Sequence, residues 1–169
     1  MIDVYIVRHA IAEHRDAARW PNDAERPLTP AGETRFRRAA RGLSRIAPEV
    51  ELVLSSPYTR AWQTAAILHQ EAAWSAPERC ETLEAGCAAA DAADELLGRR
   101  VASVALVGHE PQLSSLASLM LTGLAHAFAL ELKKGGVVFL DCPDEPAPGE
   151  ALLRWSASPK ILRSLAAST

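Results

Sequence analysis

Arg8 and His9 stand side by side at the end of an apolar run, Ile2-Asp3-Val4-Tyr5-Ile6-Val7. Such a run, rich in β-branched and aromatic residues, predicts a buried strand, and two adjacent cations at its exit point to an anion. Ligands of open α/β sheets collect at the carboxyl ends of strands. The arrangement returns twice. Leu52-Val53-Leu54 predicts a second short strand leaving through Ser55-Ser56-Pro57-Tyr58-Thr59 to Arg60, and Val101 to Val107 a third that closes on Gly108-His109-Glu110-Pro111. Taken singly, these are ordinary surface residues. If the three strands are parallel neighbours, Arg8, His9, Arg60 and His109 converge on one edge of the sheet. Arginines cannot shed their charge, so this cluster calls for an anion or for carboxylates. A tetrahedral phosphate suits it, because planar guanidinium groups hold phosphate oxygens through paired hydrogen bonds.

Four such residues need a frame. Thr29-Pro30-Ala31-Gly32-Glu33 reads as a helix start, with Thr29 the N-cap, Pro30 the first helical residue and Glu33 in the first turn. Phe36, Ala39, Ala40, Leu43 and Ile46 fall on one face, and Arg35, Arg37, Arg38, Arg41 and Arg45 cover the others as a solvated surface. Pro48 ends that helix. In the second unit Ser56 is expected to cap a helix with Pro57 at its first position, the free amides offering a phosphate seat. Trp62, Ala65 and Ala66 continue into the core and His69 onto a helix face. Arg79 to Leu83 predicts an edge strand and Ala88 to Leu97 a helix, with Glu84 on the loop between. Leu113, Leu116, Ala117, Met120, Leu121 and Leu124 mark a helix buried along one face. Gly135 to Asp141 and Leu152 to Trp155 predict two strands joined like a hairpin, with Lys133 and Lys134 exposed before them and a frayed segment after Ser158-Pro159-Lys160. Ile11 to Asn22, polar and without a period, is a candidate lid over the first strand. The expected fold is a single domain over residues 1–169, a three-layer α/β/α sandwich with a mostly parallel central sheet.

Composition narrows the function. The net charge of −3, with 49% of residues hydrophobic and 23% charged, disfavours nucleic-acid and membrane partners. Cys80, Cys87 and Cys142 are odd in number and lack CxxC spacing, which reads as free thiols in a reducing cytoplasm. Asp3 inside the first apolar run argues against a signal peptide. Gly108 to Pro111 interrupts the apolar stretch from Val101 to Leu132, leaving it short of the roughly 20 residues that span a bilayer. His9, His14, His69, His109 and His126 show no carboxylate-histidine helix spacing, so neither a metal nor another cofactor is expected.

The motifs together resemble the histidine phosphatase superfamily, marked by an Arg-His-Gly signature. They are Val7-Arg8-His9-Ala10, Ser55-Ser56-Pro57-x-x-Arg60-Ala61-x-Gln63-Thr64-Ala65 and Val107-Gly108-His109-Glu110-Pro111, in the family's order and spacing. The short length, Arg26-Pro27-Leu28-Thr29-x-x-Gly32, and Gly135-Gly136 followed by Leu153-Arg154-Trp155 look most like the SixA-type phosphohistidine phosphatases. Ala10 departs from the signature's glycine, and a left-handed backbone there would tolerate alanine poorly. The resemblance implies a phosphoglycerate mutase-like fold and a metal-independent phosphatase. His9 would be the nucleophile, forming a covalent phosphohistidine, while Arg8, Arg60 and His109 hold the phosphoryl oxygens and Arg26 joins them in binding substrate. The implied partners are a protein carrying phosphohistidine or a small phosphate ester, with phosphate or sulfate able to occupy the pocket. An alkyl ester needs a proton donor, for which Glu84 and Glu81 are nearest in the chain, whereas an imidazole leaving group departs more easily. Two alternatives are a small-molecule phosphomonoester phosphatase of the same superfamily and a non-catalytic module binding phosphate or phosphopeptides.

Overall fold

Alternation along the strands sets the layers. In β1 (Ile2–Arg8), Tyr5 and Val7 face one apolar cluster while Val4 and Ile6 face the other. β4 (Ser103–Gly108) repeats this, with Ala105 and Val107 on the first side and Val104 and Leu106 on the second. Strands covered on both faces read as nearly continuous apolar runs, which is why they stood out in the sequence. The computed structural model describes residues 1–166. The remaining strands are β2 (Leu52–Ser55), β3 (Pro77–Arg79), β5 (Val137–Cys142) and β6 (Leu152–Ala157). They form one sheet in the order β3-β2-β4-β1-β5-β6. The first four in that order run parallel, β5 lies antiparallel to β1, and β6 antiparallel to β5.

Helices α1 (Pro30–Leu43), α2 (Thr59–Ala72) and α5 (Pro159–Leu165) contribute Phe36, Leu43, Ala65, Leu68 and Leu162 to the first cluster. Helices α3 (Ala89–Asp94) and α4 (Gln112–Thr122) contribute Ala92, Leu113, Leu116 and Met120 to the second. The result is the expected three-layer α/β sandwich. Both β1 and β2 flank β4, and the register sets Arg8 opposite Gly108 and Ser55 opposite Val107. The three chemistry-bearing strand ends therefore lie side by side.

Thr29 caps α1 as expected, its Oγ1 accepting from the Gly32 amide at 2.9 Å. Several boundaries differ from the sequence reading. α1 stops at Leu43, so Ile46 falls in the following turn and is 41% exposed. α2 begins at Thr59 with Tyr58 as its N-cap, because Ser56 Oγ accepts the Tyr58 amide in a local turn and leaves Pro57 outside the helix. Trp62 is only half-buried beneath the Arg79 guanidinium, and the core tryptophan is Trp74, whose Nε1 donates to the Ala47 carbonyl. The edge strand lies at Pro77–Arg79, where Val53 pairs with Pro77, and Glu81–Leu83 forms a 3₁₀ turn instead. An edge position tolerates that proline. α3 ends at Asp94, short of Leu97. Leu124 lies beyond the Gly123 cap of α4 and is exposed.

The frayed segment expected after Ser158 is a helix as far as Leu165, with residues 167–169 outside the described residues: Ser158 caps α5, and Leu162 is buried against α1. Gly42 permits this approach, since a Cβ there would stand 1.8 Å from the Leu162 carbonyl oxygen. A seven-residue helix carries too short a period to be read from sequence. Among the described residues no helix is long and apolar enough to cross a membrane, and the three cysteines are free thiols.

Candidate active site at the strand ends

The turn after β1 is held from three sides. The His9 amide donates to the Gly108 carbonyl at 3.0 Å, and the Ala10 amide to Thr64 Oγ1 at 3.0 Å. Thr64 Oγ1 in turn donates to the Arg60 carbonyl. From the third side the Gly135 amide reaches the carbonyls of Arg8 and His9 at 3.1 and 3.0 Å, from a backbone with φ of +79°. Ala10 is buried and is not among the positive-φ residues, so its methyl group fits where the family signature has glycine.

Inside this clamp the His9 ring lies almost fully buried, and its Nδ1 donates to the Ala10 carbonyl at 2.7 Å. That bond places the proton on Nδ1 and leaves the Nε2 lone pair free. Burial pulls the His9 pKa down to about 3; the bond to Ala10 opposes this, and His109, Arg60 and Arg8 reinforce it. The ring is neutral at physiological pH. The His109 ring centroid lies 5.2 Å away, its Nε2 2.9 Å from Ser56 Oγ, while its Nδ1 is buried without a partner among the described residues. Burial first and then the Arg60 charge lower the His109 pKa, again to about 3.

Arg60, 2% exposed, enters from the first turn of α2. It donates through Nη1 to the Asp23 carbonyl and through Nη2 to Asp23 Oδ2, and its Nε has no partner among the described residues. Arg8 donates Nη1 to the Leu132 carbonyl, and its Nε is likewise buried and unpartnered. Arg26 gives Nη1 to the Glu13 carbonyl and Nε to Asp23 Oδ1.

Arg8, His9, Arg26, Arg60 and His109 thus line one cavity of about 410 Å³. Glu13, His14, Arg15, Thr29, Glu110 and Lys134 complete its polar lining. Arg8, Arg15, Arg26, Arg60 and Lys134 outnumber the two carboxylates there, so the cavity attracts anions. Burial, and then Arg8, Arg26 and Arg60, lower the Lys134 pKa. The phosphate seat expected at the start of α2 is not part of this cavity, since residues 56–59 do not line it. Glu84 and Glu81 do not line it either; the neighbouring Ala85 does. Of the carboxylates that do, Glu110 accepts from the Ser114 amide and hydroxyl, and Glu13 lies 3.6 Å from Arg19.

Asp23 and Glu110 had no role in the sequence reading, and Lys134, read there as an exposed lysine, lines the cavity. Asp23 stands on a 3₁₀ turn inside an aperiodic segment that carries no sequence signal for it. Glu110 sits within the His109 motif, and Lys134 precedes the Gly135 that binds the His9 carbonyl, so both had a signal in their neighbours. Among the described residues no group of three or more histidines, cysteines and carboxylates could hold a metal ion.

A mostly parallel sheet whose adjacent strand ends gather two neutral imidazoles and several guanidinium groups in one cavity suits a tetrahedral oxyanion such as a phosphoryl group. Residues 4–85 match the model of the histidine phosphatase superfamily (branch 1). An uncharacterized protein of Picosynechococcus sp. is 34% identical over 142 residues, spanning 82% of this chain and 84% of that protein. The structure of the protein histidine phosphatase SixA complexed with tungstate matches with a TM-score of 0.81 and 25% identity, over 95% of this chain and 99% of that one. An Agrobacterium tumefaciens protein assigned as a phosphohistidine phosphatase SixA matches with a TM-score of 0.76 and 23% identity, over 94% and 98% of the two chains. The chain belongs to the histidine phosphatase superfamily, and it is a phosphatase of that superfamily.

Proposed function

We propose that this protein is a cytoplasmic protein phosphohistidine phosphatase that works through a covalent phosphohistidine on His9. The observation that carries the proposal is the 2.7 Å bond from His9 Nδ1 to the Ala10 carbonyl, which leaves a neutral, unprotonated Nε2 inside a cationic cavity. Nε2 attacks phosphorus, the P–N bond to the substrate imidazole breaks, and that imidazole leaves carrying its proton on the other nitrogen. Water then attacks the phosphorus on His9, releasing inorganic phosphate and restoring the ring. Arg8 and Arg60 hold the equatorial oxygens, where charge spreads in a loose transition state, and each has a buried Nε with no other partner. His109 joins them: with the Ser56 hydroxyl donating to Nε2, the ring carries its proton on Nδ1, the unpartnered nitrogen. Arg26, held by Asp23 and Glu13, borders the substrate.

The leaving group decides the substrate class. Glu84 stands outside the cavity, and of the carboxylates that line it Glu110 accepts from Ser114 and Glu13 lies beside Arg19, an arrangement that favours a substrate departing without a strong acid. Tungstate, a tetrahedral oxyanion, was bound in the SixA structure this chain matches, and that likeness supports a phosphoryl site here.

The test is rapid-quench labelling with a ³²P-phosphohistidine protein. Wild type should acquire an acid-labile, alkali-stable label, and His9→Ala should lose both label and turnover. Full turnover by His9→Ala would sink the covalent mechanism. In a substrate panel, phosphohistidine protein should exceed phosphoserine peptide in kcat/KM by at least about tenfold, or about 1.4 kcal/mol of barrier.

A further inference from the structure

A second cavity, of about 600 Å³, adjoins the first and shares Arg8, Ile11 and Lys134 with it. Its walls come from four separate parts of the chain: the end of β1 with the turn after it, α1, the segment before β5, and the start of α5. Six cations line it, namely Arg8, Arg35, Lys133, Lys134, Lys160 and Arg163, against the single carboxylate Glu131. In a chain of net charge −3 this is a marked segregation of charge.

The treatment of the α1 arginines sharpens the point. Arg37 and Arg41 face α2 and are neutralised there, Arg37 by Glu33 and Glu71 and Arg41 by Glu71. Arg35, on the side toward α5, has no ion pair among the described residues, and neither do Lys133, Lys160 and Arg163. The one helix that places acidic partners beside its arginines on one side leaves them unpaired on the other. Grouping like charges without counterions is unfavourable unless a ligand supplies the opposite charge. Ile11, 38% exposed, and Pro159 interrupt the cations with apolar surface, a mixture that suits a polypeptide better than a bare polyanion.

We infer that this groove docks an acidic polypeptide segment flanking the phosphorylated residue of a protein substrate, with Arg35, Lys133, Lys160 and Arg163 as its electrostatic track. The groove opens into the catalytic cavity at Arg8 and Lys134, so a segment lying along it would lead directly to His9. The inference rests on the phosphoprotein reading of the catalytic site, but it is tested by binding and does not require turnover.

The probe is a fluorescein-labelled, unphosphorylated twelve-residue peptide of aspartate and glutamate interspersed with leucine, followed by fluorescence anisotropy. Wild type should bind it, and binding should weaken steeply from low to physiological salt, since exposed charges are screened within about 8 Å at 0.15 M. Arg35→Glu with Lys160→Glu should weaken binding by roughly tenfold or more, because two charges are reversed and the groove's charge falls by four units. The same double variant should keep aryl phosphate turnover within about twofold, since neither residue lines the catalytic cavity. That turnover also reports that it folds. Arg163→Gln should weaken the peptide by a smaller factor. Equal binding by wild type and the double variant would overturn the proposal, as would tighter binding of polyphosphate or a single-stranded oligonucleotide of matched charge. Peptide binding without any hydrolysis of phosphohistidine protein would leave the groove standing and refute the catalytic reading instead.

Discussion

The catalytic cavity has two walls built on different principles. One is borne by the sheet: Arg8 and His9 leave β1, His109 leaves β4, and Arg60 sits in the first turn of the helix that follows β2. The other is borne by the arm between β1 and α1, which lines it with Glu13, His14, Arg15 and Arg26 and braces it through Asp23. On the sheet wall His9, His109 and Arg60 are all under 7% exposed and Arg8 is half-buried, whereas on the arm Arg26 is buried but His14 and Arg15 face solvent. Their hydrogen bonding differs as well. On the sheet wall Arg8 Nε, Arg60 Nε and His109 Nδ1 are buried and unpartnered, a cost that an incoming oxyanion would remove. On the arm Asp23 satisfies both Arg26 and Arg60, and Glu13 holds Arg26 through its carbonyl. The rigid wall is preorganised for the ligand, and the arm holds that wall in place.

Breaking the sheet wall should therefore cost most. Arg60→Ala should lower kcat on an aryl phosphate by about 10²- to 10³-fold, the range for removing one preorganised donor. Unchanged circular dichroism would show that the loss is not one of folding. A smaller effect than that of a change on the arm would reverse the ranking of the two walls.

Acid should expose the same asymmetry in stability. His9 and His109 fold with pKa values near 3, below the ordinary value of 6.5, so between those limits the unfolded chain binds more protons than the folded one. Stability is fully present above pH 6.5 and falls as pH drops toward 3, by up to about 1.4 kcal/mol per pH unit for each imidazole. Thermal unfolding at pH 7 and pH 4.5 should show this loss. A His9→Asn, His109→Asn variant should lose much less over the same interval, and an equal loss would place the acid sensitivity elsewhere.

How much of this was legible in the sequence follows the same division. β1, β2 and β4 are buried on both faces, so their composition announced them, and a strand end next to a helix start fixed where Arg8, His9, Arg60 and His109 would meet. The arm has no period. Asp23 is positioned by a three-residue 3₁₀ turn and by tertiary bonds to Arg26 and Arg60, none of which leaves a local pattern. Element ends suffered for related reasons: Ser56 and Pro57 carry helix-start chemistry, yet Ser56 spends its hydroxyl on the Tyr58 amide and on His109. Gln63 and Thr64, named in the second motif without a role, prove to be braces, Gln63 accepting the Leu28 amide and Thr64 the Ala10 amide.

The arm can be tested at its best-connected residue. Burial works to raise the Asp23 carboxyl, but the Arg26 hydrogen bond and the Arg60 charge outweigh it, and its pKa is lowered overall. Asp23→Asn keeps the shape while leaving one acceptor oxygen for two guanidinium groups. We expect kcat to fall by about tenfold, in line with the loss of one charge-assisted hydrogen bond, without a rise in KM. The unchanged KM follows because removing a carboxylate beside an anion site does not repel substrate. A raised KM with normal kcat would instead make Asp23 a substrate contact.

The smallest effect is expected at Glu84, the carboxylate nearest to the site by chain position among those considered as proton donors. It follows the 3₁₀ turn Glu81–Leu83 and does not line the cavity, although Ala85 beside it does. Glu84→Gln should leave phosphohistidine turnover within about twofold, because the substrate imidazole departs without a strong acid. Alkyl phosphate esters make the sharper measurement, since an alkoxide leaves badly without a proton. If Glu84→Gln selectively lowered turnover of an alkyl ester by about tenfold or more, the 81–85 segment would have to swing its carboxylate inward during the reaction. The cavity would then have a third, moving wall, and the division into a fixed sheet wall and a bracing arm would fail.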